Sequence, residues 1–189
     1  FQFCEVTGYP GTPTKADFTG LVMHSDLPFI GKFKSSNPLL NQVWQNVFWT
    51  QRANLYSVPT DCPQRDERLG WSGDINLFSP TACYNMEMAA LLTKWLADFR
   101  DSQNADGSVP DVAPVCVLSG PASPAWGDAV VGLPWNLYRF YGDTRVIEEN
   151  YKLMSDWVAY MIRNSRDNLY EREGYGDWVP VVESPKVTI

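Results

Sequence analysis

The chain has 189 residues, 44% of them hydrophobic, and a formal net charge of −7. That length supports one sizeable core, in one domain or slightly more. An acidic chain without a basic cluster is a poor partner for nucleic acid or an anionic membrane, and no apolar run approaches the ~18 residues that span a bilayer.

Residues 1–32 read as β. Phe-Gln-Phe-Cys-Glu-Val at the start alternates apolar and polar, Gly8 to Pro13 is a turn cluster, and residues 18–24 form a second short strand pattern. Two strands alone do not make a stable unit, so they are expected to belong to a sheet whose other strands lie in a longer parent chain. No charged-then-apolar leader is present, and the compartment is not legible.

From residue 36 the period becomes helical. Asn37 is placed to cap a helix with Pro38 at its first position, and Leu39, Leu40, Val43, Trp44, Val47 and Phe48 share a face. A loop follows over residues 57–63, and a second helix is expected from about 74 to 83, bent at Pro80. Asn85 is read as the cap of a third helix whose stripe is Met88, Leu91, Leu92, Trp95, Leu96 and Phe99. Residues 104–124 form a long loop with Gly and Pro and no helical period. Loops of that length inside compact domains are often functional. A fourth helix is expected over 127–141, with Pro134 inside it and Gly142 ending it. A fifth, over 143–163, carries Val146, Ile147, Tyr151, Met154, Trp157, Val158 and Met161; residues 171–189 read as loop. With no strands read between helices, a parallel sheet is not expected. The pattern fits helix hairpins packed side by side, as an array, bundle or toroid.

The single histidine, His24, lies in the strand-like segment, which leaves carboxylates to carry acid–base chemistry. The four cysteines, at 4, 62, 83 and 116, form no C-x-x-C pair and read as free or buried thiols. No calcium-loop, P-loop or G-x-G-x-x-G pattern occurs, so neither a metal nor a cofactor is expected.

The densest chemistry is at residues 61–74, where Asp61, Asp66, Glu67 and Asp74 stand with Arg65, Arg68 and Trp71. Gly70 and Gly73 are read as allowing sharp backbone paths. The plain structural account is that Asp61 and Asp74 cap turns while the arginines neutralise the rest. The functional account is glycoside hydrolysis, which needs a proton for the leaving oxygen and negative charge beside an oxocarbenium-like sugar. A carboxyl crowded by like charges keeps its proton to higher pH, and Trp71 offers an apolar face for a sugar ring. Spacing alone does not say which carboxyl keeps its proton.

The run Pro-Thr-Asp-Cys-Pro-Gln-Arg-Asp-Glu-Arg-Leu-Gly-Trp-Ser-Gly-Asp over residues 59–74 resembles the signature of bacterial and fungal α-L-rhamnosidases, glycoside hydrolase family 78. Glu-Val-Thr-Gly-Tyr at 5–9, Ser-Asn-Pro-Leu-Leu-Asn at 36–41, Gly-Ser-Val-Pro-Asp-Val-Ala-Pro at 107–114, Ala-Trp-Gly-Asp at 125–128 and Gly-Asp-Trp at 176–178 extend the resemblance over nearly the whole chain. It implies a mainly α fold, part of an (α/α)6 toroid of the six-hairpin glycosidase type. Residues 1–32 would be the end of a preceding β-sandwich and linker, and 33–189 the N-terminal half of the catalytic domain. It implies inverting hydrolysis with Glu67 as general acid, and Asp61 and Asp74 as carboxylates that bind rhamnose hydroxyls or stabilise the transition state. Arg65 lies in the same cluster; Trp71, Trp126 and Trp178 would line the sugar pocket, with Asp128 and Asp177 as weaker candidates. The implied partner is a rhamnose-containing oligosaccharide or glycoside.

The family's general base is a Glu on a later helix. Glu183 does not match its motif, so the chain is expected to be a fragment, inactive alone, whose exposed inner helix faces favour self-association. Two other readings fit the helices, Trp residues and carboxylates more loosely. One is another helical-toroid carbohydrate enzyme, glucoamylase-like or a phosphorylase; the other is a non-catalytic carbohydrate-binding helical domain.

Overall fold

The computed structural model describes residues 3–117, 120–170, 172, 174, 175 and 178. It is helical: α1 (Pro38–Ala53), α2 (Ser72–Asn85), α3 (Ala89–Ser102), α4 (Ala129–Tyr141) and α5 (Arg145–Arg163). A hairpin of two-residue strands, β1 (Leu55–Tyr56) and β2 (Val58–Pro59), turns through Ser57 at φ 63° between α1 and α2. Helix α4 packs against α2, α3 and α5, and α3 also meets α5.

The helices start and stop for local reasons. The Asn37 side chain accepts from the N–H of Leu39, with Pro38 entering the first turn where no N–H is needed. Gly142, at φ 67°, closes α4 in the left-handed region. Pro80 sits inside α2 and cannot donate to the carbonyl of Asn76. The Ser79 hydroxyl donates to that carbonyl instead, at 3.2 Å, and itself accepts from Asn136 Nδ2 of α4 at 2.9 Å. A helix defect thus becomes a polar link between helices.

The expected stripe of α3 is the centre of the core. Met88, Leu92, Trp95, Leu96 and Phe99 are fully buried, joined by Leu133 and Leu137 of α4 and by Leu153 and Trp157 of α5. Trp95 Nε1 donates to the carbonyl of Ala113 at 2.8 Å, which satisfies its one polar atom.

Four expectations are corrected. The described residues 3–32 contain no strand, only a 3-10 turn at Lys15–Asp17 and an isolated bridge from Phe29 to Met86. Alternating sequence does not become a strand without a neighbour to accept its ladder hydrogen bonds, and none of the described residues pairs with 3–24. Second, Asn85 does not cap α3; it ends α2, and its amide donates to Gln51 Oε1 at 2.9 Å. The buried Gln51 also donates to the carbonyl of Ala82 at 3.1 Å, tying α1 to α2. Third, the α1 stripe is not packed along its length: Leu39, Leu40 and Val43 are exposed. Fourth, the buried face of α5 is Val146, Asn150, Leu153 and Trp157, while Tyr151 and Val158 are exposed. Asn150 is accepted into the core because both ends of its amide are paired, with Val146 O and with Arg100. No helix among the described residues is long and apolar enough to cross a membrane.

Candidate active site

The signature segment leaves the hairpin at Pro59 and returns to regular structure at Ser72, the first residue of α2. Its shape is fixed from inside. Asp61 Oδ1 accepts from the N–H of Leu69 at 3.0 Å, and the N–H of Asp61 donates to the carbonyl of Leu69 at 3.2 Å. The loop therefore closes on Asp61, and Arg65 and Glu67 stand on the turn between. Arg68 adopts φ 54° there.

Gly70 and Gly73 do not serve sharp turns, since neither has a positive φ. Each is needed for space. A Cβ at Gly70 would collide with the carbonyl of Ala113, and one at Gly73 would meet the ring of Trp126 at 2.7 Å. The glycines of the signature let the long loop and an aromatic ring come up against the backbone.

A cavity of about 380 Å³ opens beside this loop. It is lined by the charged residues Asp61, Arg65, Glu67 and Asp74 and by the aromatic residues Trp71, Trp126, Tyr175 and Trp178. Arg65 is the hub of the charged side. Its Nη2 lies 2.7 Å from Glu67 Oε2 and 3.5 Å from Asp61 Oδ2, and its Nε donates to Glu67 Oε2 at 3.0 Å. Trp71 Nε1 donates to the other oxygen of Glu67, Oε1, at 2.8 Å. Both oxygens of Glu67 are therefore oriented, and its side chain keeps 29% exposure toward the cavity. Partial burial pushes the carboxyl of Asp74 above its ordinary range, and the charges of Asp61 and Glu67 push the same way.

Asp61, Cys62 and Glu67 bring one ligand atom each within 4.8 Å of one another. The positive charge between the two carboxylates is already supplied by Arg65, and burial pushes the Cys62 thiol up, away from the thiolate a metal takes.

The aromatic side is built by long-range contacts. Ala125 at φ 69° sets the path into Trp126; its carbonyl accepts from Asn76 Nδ2 of α2 at 2.9 Å and its N–H donates to Asp128 Oδ2 at 3.0 Å. Tyr175 lies with its ring centre 5.6 Å from Trp71, 5.0 Å from Trp126 and 5.7 Å from Trp178. These aromatic faces and the carboxylates can hold a hydroxylated ring that also has apolar surface.

Of the eight candidates among the described residues, the structure gathers seven at this cavity: Asp61, Arg65, Glu67, Trp71, Asp74, Trp126 and Trp178. Asp128 is not among the lining residues. Its two oxygens are used in packing, by Ala125 and by Trp157 Nε1 at 3.1 Å. Asp177 lies outside the described residues. His24 is remote from the cavity, with Nδ1 2.7 Å from the carbonyl of Ser25. Tyr175 was not singled out in the sequence. It stands three residues before Trp178 beside the Gly-Asp-Trp motif, and that neighbourhood was the available signal.

Residues 28–188 match the family described as bacterial α-L-rhamnosidase 6 hairpin glycosidase domain. An α-L-rhamnosidase of Streptomyces avermitilis is 48% identical over 190 aligned residues, covering all of this chain and 18% of the relative. One from Formosa agariphila is 38% identical over 181, covering 95% of this chain and 20% of the relative. The crystal structure of the Streptomyces avermitilis enzyme complexed with L-rhamnose superposes with a TM-score of 0.91 at 47% identity, over 95% of this chain and 18% of that one. The chain thus spans about a fifth of the length of the curated relatives it matches.

Proposed function

The chain belongs to the family of bacterial α-L-rhamnosidase six-hairpin glycosidase domains, and from that premise we propose that it forms the acid-bearing part of a hydrolase that removes terminal α-L-rhamnose with inversion. The observation that carries this reading is the arrangement of Glu67. Its carboxyl lines the cavity, is oriented at both oxygens by Arg65 and Trp71, and shares that cavity with Trp126, Tyr175 and Trp178.

In this mechanism Glu67 delivers its proton to the glycosidic oxygen as the bond to the anomeric carbon breaks. Positive charge then spreads over the anomeric carbon and ring oxygen. Asp61 and Asp74 supply nearby negative charge and accept from ring hydroxyls. Partial burial holds the carboxyl of Asp74 above its ordinary range. Trp71, Trp126 and Trp178 cover the apolar faces of the ring and the methyl group of a 6-deoxy sugar. Inversion needs a second carboxylate to activate water on the opposite face, about 6.5–9.5 Å from the acid. We assign that base to a part of the parent protein outside residues 1–189.

The same reading makes residues 1–32 the end of a preceding β-sandwich and linker, and 33–189 the first half of the catalytic domain. The exposed α1 face and the groove of Val131, Tyr151, Met154, Val158 and Ile162 would drive self-association of the isolated chain.

The test is a substrate panel on the full-length protein that carries this chain, with the configuration of the released sugar followed by NMR. Cleavage of aryl α-L-rhamnosides to the inverted anomer is expected, with little or no turnover by residues 1–189 alone. Preferential cleavage of α-glucosides would replace this reading with the glucoamylase-like one.

A further inference from the structure

One buried residue is bonded to two of the segments that build the cavity. Asp111, 8% exposed, lies in the long loop between α3 and α4. Its backbone carbonyl accepts from the N–H of Ser72 at 2.9 Å and from the Ser72 hydroxyl at 2.8 Å. Ser72 is fully buried, follows Trp71 and begins the helix that presents Asp74. The next residue, Val112, makes a β-bridge with Trp71 itself. The Asp111 side chain points the other way in connectivity: Oδ1 accepts from the N–H of Ser123 at 2.8 Å. Ser123 is 3% exposed. Its carbonyl accepts from the N–H groups of Trp126 and Gly127, at 3.1 and 3.0 Å, and its hydroxyl accepts from the N–H of Tyr175 at 3.4 Å.

We propose that Asp111 is a positioning residue for the sugar site, its backbone holding the Trp71–Asp74 segment and its side chain holding the Ser123 turn that leads to Trp126 and accepts from Tyr175. The inference rests on the rhamnosidase reading for what the cavity holds, but its structural content does not. A buried carboxylate that serves packing alone is a poor choice, because taking its charge out of water is costly; burial indeed raises the Asp111 carboxyl above its ordinary range. What the carboxylate adds is an acceptor that reaches the Ser123 N–H from a neighbouring loop. Arg172 works on the same turn, donating to the carbonyls of Pro121 and Ala122, and its charge favours the ionised form of Asp111.

The division of labour fixes the expected kinetics. Glu67 precedes the Trp71–Asp74 segment, whose link to Asp111 is through the backbone and survives substitution. Trp126 and Tyr175 line the cavity, whereas the groups that bond Glu67 are Arg65 and Trp71. Loosening the Ser123 turn therefore weakens sugar binding while leaving the proton donor in place.

The experiment compares Asp111→Ala with Asp111→Asn in the full-length protein carrying this chain, since asparagine keeps an oxygen at the Oδ1 position. With an aryl α-L-rhamnoside, Asp111→Ala is expected to raise KM about 10-fold with kcat within about 3-fold of wild type, and Asp111→Asn to restore wild-type KM. Hydrogen exchange read by mass spectrometry supplies the readout independent of substrate: faster exchange of the 121–127 amides in Asp111→Ala, and wild-type exchange in Asp111→Asn. Should the alanine variant not fold, Asp111→Ser, too short to reach Ser123, takes its place with the same expectation. Unchanged exchange over 121–127, or a loss confined to kcat, would overturn the inference. A wild-type protein that does not cleave rhamnosides would overturn the functional reading separately, with the exchange comparison still deciding the role of Asp111.

Discussion

Trp71 Nε1 donates to Glu67 Oε1 at 2.8 Å, so a ring that walls the cavity also orients the proposed acid. The pair joins sugar contact to proton position: a ligand that displaces the indole also moves the carboxyl. Arg65 holds the second oxygen, but this guanidinium side chain is 60% exposed. An ion pair that open to water adds little to stability, and its value is in fixing geometry.

Replacing Glu67 by Gln removes the transferable proton with little change of shape. Turnover in the full-length protein should fall by about 10²–10⁴-fold, with affinity for L-rhamnose retained. The loss should be larger for a sugar–sugar linkage than for a nitrophenyl rhamnoside, whose leaving group needs less protonation. Steady-state rates on both substrates, with equilibrium titration of L-rhamnose, decide it; equal losses on the two would argue against proton donation from this residue.

Gly73→Ala places a methyl carbon 2.7 Å from the Trp126 ring. Because the backbone there has no left-handed strain, the cost is overpacking alone, about 1–3 kcal/mol. The indole must shift, so weaker sugar binding should accompany the lower melting temperature. Thermal melting and KM measured on the same preparation check both.

The raised carboxyl of Asp74 makes a pH-dependent stability claim. Its folded pKa lies above the ordinary 3.8, so between the two values the folded state binds more protons than the unfolded state. Stability contributed by this group therefore falls as pH rises through that window, and a penalty persists at neutral pH. Asp74→Asn should remove the penalty: its melting temperature should exceed wild type at pH 7, with the gain disappearing below about pH 4. Melting curves across that range test the sign, and a gain that persists at low pH would contradict it.

Asp128 should behave as a packing residue. Asp128→Ala strands the indole N–H of the buried Trp157, at a cost of about 1–3 kcal/mol for a buried unpaired donor, while the exposed Ala125 N–H can turn to water. Denaturant unfolding should register that loss, and Asp128→Asn should recover part of it. A variant with wild-type stability and a large rise in KM would instead return Asp128 to the sugar.

Much of this molecule was legible before folding because the relevant physics is local or periodic. The α3 stripe announced the core because every third or fourth residue returns to one face. Pro38 after Asn37 and Gly142 after Tyr141 marked helix ends because caps depend on neighbouring backbone. The density of charge at residues 61–74 marked the site. The pairing of Asn85 with Gln51, the engagement of Asp128 by Trp157, the packing of Tyr175 against Trp71 and Trp126, and the hydrogen bonds of Asp111 to Ser72 and Ser123 were not legible. Each joins residues 12 to more than 100 positions apart, and no period or spacing encodes such a meeting. The roles of Gly70 and Gly73 follow the same division. The sequence by itself determined that small residues stand there, and only the tertiary structure decided why, because the obstacles are an indole and a carbonyl delivered by a distant loop.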